Sequence, residues 1–401
     1  MSIAFVVSIA VALGWLGLAA LCIGRSRDSR RLPPADAPPG PDAPTVVAVV
    51  PARNEEGRIG ETLRCLMAQE YPHLSILVVD DQSTDATAGV VRSASPGAGT
   101  EAHPVRLLPG GDRPEGWVGK TWALHQGVEA TDSEWIWMVD ADLWLHPRAL
   151  ATAMEQADRA GADLVSFLGR PRCETFWQGS IALALVQILS MLYPLRRVND
   201  PTRAEALAHG AFVLIRRSTY DRVGGIGSVR GEIVEDIRFA SRVKAEGGRI
   251  RASAAPALSQ THMYGTFGDI WRGLRKNAYA GMDYLPHKYV TGSILGLLMA
   301  WAPPLSLLIG LVGLLTPRAP SPSPVAWAAV GLSGWLAQAA AAMPAVVFLE
   351  LPRIFAFSLP AGIAAYVAIT SASVWHYARG RVLWKDRAFP SRVVKPRPSR
   401  D

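Results

Sequence analysis

Apolar positions along the chain fall into two regimes. In the first they form unbroken stretches: residues 3 to 23 carry no charge, and long apolar runs return at residues 294 to 315, 325 to 349 and 354 to 375. About 20 such residues span a bilayer core, so each run reads as a membrane helix. In the second regime short apolar runs of strand length alternate with amphipathic stretches. Strands are expected at residues 45–50, 75–79, 105–108, 135–139, 163–168 and 211–215. Helices are expected at residues 58–70, from Ser83 or Thr84 onward, and at 120–130, 148–160 and 236–246. Within 58–70, Ile59, Leu63, Leu66 and Met67 share one stripe. This alternation predicts an α/β sandwich with a mainly parallel sheet.

The two regimes set the domain organisation. Residues 1–24 read as an N-terminal transmembrane anchor, and 25–44 as a basic, Pro-rich linker. Residues 45–290 form the α/β domain, 291–378 the C-terminal transmembrane segments and 379–401 a basic tail. No basic stretch precedes the first apolar run and no small-residue cleavage site follows it, which argues against a signal peptide. Arg25, Arg27, Arg30 and Arg31 lie just beyond it, and the bias of basic residues toward the cytoplasm orients the α/β domain inward. Three further spans would then place the basic tail (Arg379, Arg381, Lys385, Arg387, Arg392, Lys395) outside, against the same bias. Pro303 and Pro304 therefore suggest a break and a re-entrant segment in the first of them. Residues 176–195 are also apolar. A crossing there would divide Asp142 from Asp236, so this stretch reads as an interfacial or buried helix.

Charge and cysteine content narrow the chemistry. The net charge of +7 sits largely in the juxtamembrane and tail segments, which fits anionic lipid rather than nucleic acid. Three cysteines without Cys-x-x-Cys spacing indicate neither a disulfide framework nor a zinc site.

Candidate chemistry collects at strand ends. Asp140 and Asp142 close the run 135–139 one residue apart, and Asp80, Asp81 and Asp85 follow the run 75–79. Ligands of open α/β sheets bind beyond the carboxyl ends of the strands, and carboxylates at i and i+2 can converge on one hard cation. Gly119-Lys120-Thr121 lacks the earlier glycine of a P-loop, since Pro114 stands there, and Gly225-Ile226-Gly227 meets Arg230 where a dinucleotide fingerprint needs its last glycine.

Taken in order, Val49-Val-Pro-Ala-Arg53-Asn-Glu-Glu56, Val78-Val-Asp80-Asp81-Gln-Ser-Thr-Asp85, Gly119-Lys120 with Ala123-Leu124, Asp140-Ala-Asp142 and Val234-Glu235-Asp236 resemble the nucleotide-sugar domain of family 2 inverting glycosyltransferases. With the membrane segments, the layout resembles ceramide-glucosyltransferase-like bacterial enzymes, most closely the hopanoid- or hopene-associated ones. The resemblance implies a GT-A, Rossmann-like fold in a multi-pass protein of the bacterial inner membrane, its catalytic domain cytoplasmic. It implies a UDP-sugar donor and a lipid hydroxyl acceptor. Pro51, Arg53, Glu55, Asp80, Lys120 and Asp140 would bind the donor, Asp142 with Asp140 would hold Mg²⁺ or Mn²⁺, and Asp236 would be the catalytic base. A bland role stands beside two of these: Asp236 could be a helix cap, and Lys120 a solvated charge at a helix start.

Family members with C-terminal membrane segments often end the domain on Gln or Arg, two spacers, then Arg-Trp. Here Arg272-Gly-Leu-Arg275-Lys276 stands, so Arg272 and Arg275 remain for diphosphate while Lys276 replaces the tryptophan. Residues 209–212 and 216–225 would floor the acceptor side. A processive polysaccharide synthase and a non-catalytic scaffold of the same fold are the competing readings. Loss of the tryptophan argues against the first, and the intact carboxylates argue against the second.

Overall fold

The computed structural model of the protein describes residues 2–28, 31–94, 103–262, 264–316, 321–379, 383–384 and 387–388. Arg30 and the tail residues Arg381, Lys385, Arg392 and Lys395 lie outside them. In chain order the first half holds α1 (Ile3–Asp28), β1 (Val46–Ala52), α2 (Ile59–Met67), β2 (Leu74–Asp80), α3 (Thr87–Ser93), β3 (Val105–Pro109), α4 (Gly119–Glu129), β4 (Trp135–Val139), β5 (Leu143–Leu145), α5 (Ala149–Ala160), β6 (Leu164–Leu168) and β7 (Arg170–Pro171). There follow α6 (Phe176–Leu192), α7 (Leu195–Val198), β8 (Phe212–Arg216), α8 (Arg217–Arg222), α9 (Glu235–Ala245), β9 (Ile250–Ala254), β10 (Ser259–Thr261), α10 (Phe267–Asn277), α11 (Pro286–Leu314), α12 (Pro324–Phe348) and α13 (Leu359–Ala378). These build two compact units. One, mostly helical, comprises residues 1–30, 171–194 and 264–372; the other, α/β, comprises 31–170, 195–263 and 373–401.

The α/β unit is organised by a seven-stranded sheet in the order β3-β2-β1-β4-β8-β6-β9. All neighbours pair in parallel except β8, which runs antiparallel to both β4 and β6. Because β1 lies between β2 and β4, the chain winds outward to β3 on one side and returns to β4 on the other. Such a reversal opens a crevice beyond the carboxyl ends of the strands, where the sequence delivers Arg53, Asp80 and Asp140. The strands are apolar on both faces, as a covered parallel sheet requires: Val46 to Val50 and Trp135 to Val139 are buried throughout. Helix α4 lies flat on β1 and β2 because Gly127 has no side chain; a Cβ there would come within 2.4 Å of Val49 Cγ1 and 2.8 Å of Val79 Cγ2.

One boundary departs from expectation. Helix α3 starts at Thr87 rather than Ser83 or Thr84, because the intervening residues bind the loop after β1. The Asn54 carboxamide oxygen accepts from the Thr84 N–H (2.8 Å), the Glu56 carboxylate from the Ala86 N–H (2.8 Å), and the Asp80 carboxylate from the Ser83 N–H (3.1 Å). Local side-chain bonds of this kind compete with helix formation.

Among the described residues four helices are long and apolar enough to cross a membrane, beginning at Ile3, Pro286, Pro324 and Arg353; α6, at 17 residues, is shorter. Helices α11 and α12 cross at small residues. A Cβ at Gly310 would meet the Ala328 nitrogen at 2.2 Å, and one at Gly331 the Leu307 nitrogen at 2.1 Å, the close approach that glycine permits in membranes. Likewise Gly362 of α13 passes so near the Ser180 carbonyl of α6 that a Cβ would lie 2.0 Å from it.

The expected break at Pro303-Pro304 does not occur; α11 is continuous through both. Each proline lacks the N–H that would bond four residues back, which orphans the carbonyls of Met299 and Ala300. Side chains from other helices take them up. The Trp15 indole N–H donates to Met299 O at 2.8 Å, and the Gln338 carboxamide N–H lies 3.3 Å from Met299 O and 3.2 Å from Ala300 O. In hydrocarbon an unpaired carbonyl has no water to turn to, so these two side chains allow the helix to carry adjacent prolines. Replacing both, as Trp15→Phe with Gln338→Leu, should lower stability by roughly 1–2 kcal/mol for each bond lost. A thermal melt in lipid nanodiscs reads this as a clear drop in Tm; an unchanged Tm would mean that the carbonyls do not need these donors.

Candidate functional site

The site is assembled at the ends of β1, β2 and β4 and at the start of α9, all within the α/β unit. Pro51 is the half-buried residue of β1. Just beyond the strand, Arg53 turns its guanidinium across the crevice mouth to the carbonyls of Asp81 (2.6 Å) and Gln82 (3.1 Å). The Glu55 N–H donates to the Thr87 hydroxyl at 2.7 Å, and its carboxylate lies 3.7 Å from Arg58. Arg53 thus ties the β1 and β2 loops together, a role that its expected place at the nucleotide did not include. Asp80 closes β2 with Gly110 against its carbonyl, the Gly110 N–H donating at 2.9 Å where a Cβ would come within 2.8 Å of the same oxygen.

Asp140 and Asp142 leave β4 on a loop that other elements fix. The Thr62 hydroxyl of α2 stands 2.9 Å from the Ala141 carbonyl and 3.0 Å from that of Leu143, and accepts from the Leu143 N–H at 2.9 Å. From the other side, β10 pairs with β5 and the His262 N–H donates to the Asp142 carbonyl at 3.0 Å. Sequence reading missed Thr62, whose signal is only a buried polar residue on the apolar stripe of α2.

The carboxylates meet a single lysine. Lys120, in the first turn of α4, places Nζ 2.7 Å from Asp140 Oδ1 and 2.9 Å from Glu235 Oε1, and reaches the Gly210 carbonyl at 3.5 Å. It is therefore ion-paired and not the solvated helix-start charge that was one expectation for it. Its pKa is raised: burial works against the charge but is outweighed by Asp140, then Glu235 and Asp236. Next to it Asp236 accepts from the backbone N–H groups of Gly210 and Ile237, each at 2.8 Å. Space at Gly210 is tight: a Cβ would sit 3.0 Å from Asp236 Oδ2 and 3.1 Å from Lys120 Nζ, so both side chains would have to give way by a few tenths of an ångström. Sequence analysis quoted Glu235 in its motif but gave a role only to its neighbour Asp236.

Two of these acids are held above the usual carboxylate range. Burial, followed by the charge of Glu235, pushes the Asp236 carboxyl up to about 6, against the opposing pull of Lys120 and the two N–H donors. Burial, then Asp140 and Glu55, pushes Asp142 up to about 7, Arg58 and Lys120 opposing. Perturbed acids gathered in one crevice are a frequent mark of function. Beside them His209 is held neutral by burial; its backbone N–H is fixed by the Ser166 hydroxyl at 2.8 Å and its Nδ1 is buried without a partner.

Arg272 and Arg275 belong to α10 of the helical unit, where Arg272 pairs with Asp269 at 2.7 Å. Among the described residues no cluster of three or more His, Cys, Asp or Glu side chains is set to hold a metal by itself.

Comparisons with known proteins fit this geometry. Residues 47–224 match the model of Glycosyl transferase family 2. The 4,4'-diaponeurosporenoate glycosyltransferase of Staphylococcus aureus (strain USA300) is 27% identical over 267 residues, covering 66% of this chain and 68% of that protein. Among solved structures, the mannosyltransferase PcManGT from Pyrobaculum calidifontis, in complex with GDP-Man and Mn²⁺, superposes with a TM-score of 0.52 at 20% identity, over 93% of this chain and 99% of that one. The α/β unit has the GT-A, Rossmann-like fold.

Proposed function

We propose that the protein transfers one sugar from a nucleotide-sugar donor, a UDP-sugar, to a hydroxyl of a membrane lipid, with inversion at the anomeric carbon. The observation that carries this reading is the joining of Asp140, Glu235 and Lys120 into one network beside Asp236, at the carboxyl ends of the strands. The family match supports glycosyl transfer. The four long apolar helices and the staphylococcal relative, named for 4,4'-diaponeurosporenoate, support a lipid acceptor, and the sequence resemblance favours a hopanoid-like one. Lys276, in place of a tryptophan after Arg275, favours single transfer over polymer synthesis.

The donor set suits a hard divalent cation. Burial, then the charges of Asp140 and Glu55, hold Asp142 up to about 7, and a cation with oxygen preference would offset both. Asp142 and Asp140 would hold Mg²⁺ or Mn²⁺, hard cations that take oxygen ligands. When bound, the metal neutralises charge on the departing nucleoside diphosphate.

This chain's own residues supply the rest. The loops after β1 and β2, with Pro51, Glu55 and Asp80, receive the nucleoside, and carboxylates there accept hydrogen bonds from base or ribose donors. Asp236, held by two backbone N–H groups, takes the proton of the acceptor hydroxyl. The acceptor oxygen forms its bond to the anomeric carbon as the bond from that carbon to the diphosphate oxygen breaks, and the electron pair leaves with UDP. We place the α/β unit on the cytoplasmic side of a bacterial inner membrane, from the arginines that follow the first apolar run. Labelling of Cys65 by a membrane-impermeant thiol reagent in intact cells would overturn that orientation.

Two substitutions separate binding from chemistry. Asp142→Ala should lose affinity for the metal–UDP-sugar complex and turnover together; unchanged Mn²⁺-dependent binding by calorimetry would remove the metal assignment. Asp236→Asn keeps shape but cannot accept a proton, so donor binding should persist while turnover falls by about 10²-fold or more. Because only the ionised Asp236 is a base, wild-type turnover should rise with pH through about 6, and the residual activity of Asp236→Asn should lose that limb. A full-speed Asp236→Asn enzyme would exclude Asp236 as the base.

A further inference from the structure

Lys120 occupies the carboxylate that the metal would need. Its Nζ stands 2.7 Å from Asp140 Oδ1, 2.9 Å from Glu235 Oε1 and 3.5 Å from the Gly210 carbonyl. An ammonium has three N–H donors, and protein acceptors surround all three. A diphosphate can therefore be gripped by Lys120 only if one of these contacts is given up. A divalent cation approaching Asp140 meets a positive charge already bound there, and at hydrogen-bond range that repulsion is of the same order as the attraction it competes with.

We propose that Lys120 is the resident counter-ion of Asp140 in the donor-free protein, so that free divalent metal binds weakly and metal and nucleotide diphosphate enter as one complex. The proposal rests on the nucleotide-sugar reading of the site, since diphosphate oxygens are what offer Lys120 a substitute for Asp140. Two features suit this exchange. Glu235 keeps Lys120 tethered when Asp140 is released, and it stands next to Asp236 in the chain, so donor entry is felt beside the base. Gly127 fixes α4 directly on β1 and β2, so the lysine can swing while its helix stays in place. Lys120 is thus a positioning residue whose removal should favour free metal without favouring the metal–nucleotide complex.

The test compares free metal with metal–nucleotide in the full-length protein. Lys120→Met removes the charge at nearly constant length, and Lys120→Arg retains a charge. Binding of Mn²⁺ without nucleotide is followed by loss of the electron paramagnetic resonance signal of free Mn²⁺, and binding of Mn²⁺ with UDP by calorimetry. Free Mn²⁺ should bind Lys120→Met about tenfold more tightly than wild type, within the usual range of coupling between two ligands. Mn²⁺–UDP should gain nothing, and Lys120→Arg should stay near wild type for free metal. If Lys120→Met does not fold, judged by its thermal melt, Lys120→Gln asks the same question with hydrogen bonds kept and charge removed. Free-metal affinity unchanged or weaker without the lysine charge overturns the proposal. A wild-type protein that binds no Mn²⁺–UDP at all would instead sink the nucleotide-sugar reading, a distinct result.

Discussion

The concentration of negative charge at the strand ends is the constraint on which the rest of the site depends. Two unit charges 4 Å apart interact by about 4 kcal/mol at an effective dielectric near 20, while a whole domain is stable by only about 5–15 kcal/mol. Asp140, Asp142, Glu235 and Asp236 therefore need compensation built into the fold. Lys120 supplies it for Asp140 and Glu235, and two backbone N–H groups supply it for Asp236. For Asp142 it falls short: burial, then Asp140 and Glu55, still leave that carboxyl up at about 7. In the proposed function, that acid is where the cation would bind.

The surrounding architecture follows from holding these groups still. Helix α4 must lie close on the sheet for Lys120 to reach across, which is why residue 127 is glycine; the loop after β4 must not wander, which is why Thr62 grips it at three points. The helical unit solves a different problem with the same accounting of polar groups. There the carbonyls freed by Pro303 and Pro304 are met by Trp15 and Gln338.

Much of this was legible in the sequence where one physical signal dominates. The strands β1, β2 and β4 announce themselves as apolar runs ending in acids, and the acids of the site were named from that pattern and from the family resemblance. What was not legible depends on contacts distant in sequence. The antiparallel direction of β8 is decided by its connections. The short strands β5, β9 and β10 carry too little apolar pattern, and β9 is held instead by the Asn199 carboxamide, which donates to the Ala252 carbonyl and accepts from its N–H. The continuity of α11 rests on a tryptophan 284 residues away. Lys120 reads locally as a helix-start charge, and only the fold brings Asp140 and Glu235 to it.

The central claim is that Asp236 and the strand-end carboxylates act on opposite partners of a single displacement, one on the acceptor and the other on the diphosphate. The stereochemistry of the product tests this most directly. Purified protein, Mn²⁺, an α-linked UDP-sugar labelled with ¹³C at the anomeric carbon and a total-lipid extract as acceptor should yield a glycolipid whose one-bond carbon–proton coupling reports a β-linkage. An α-linked product would require a second displacement or front-side attack, and would contradict the account even with the fold unchanged.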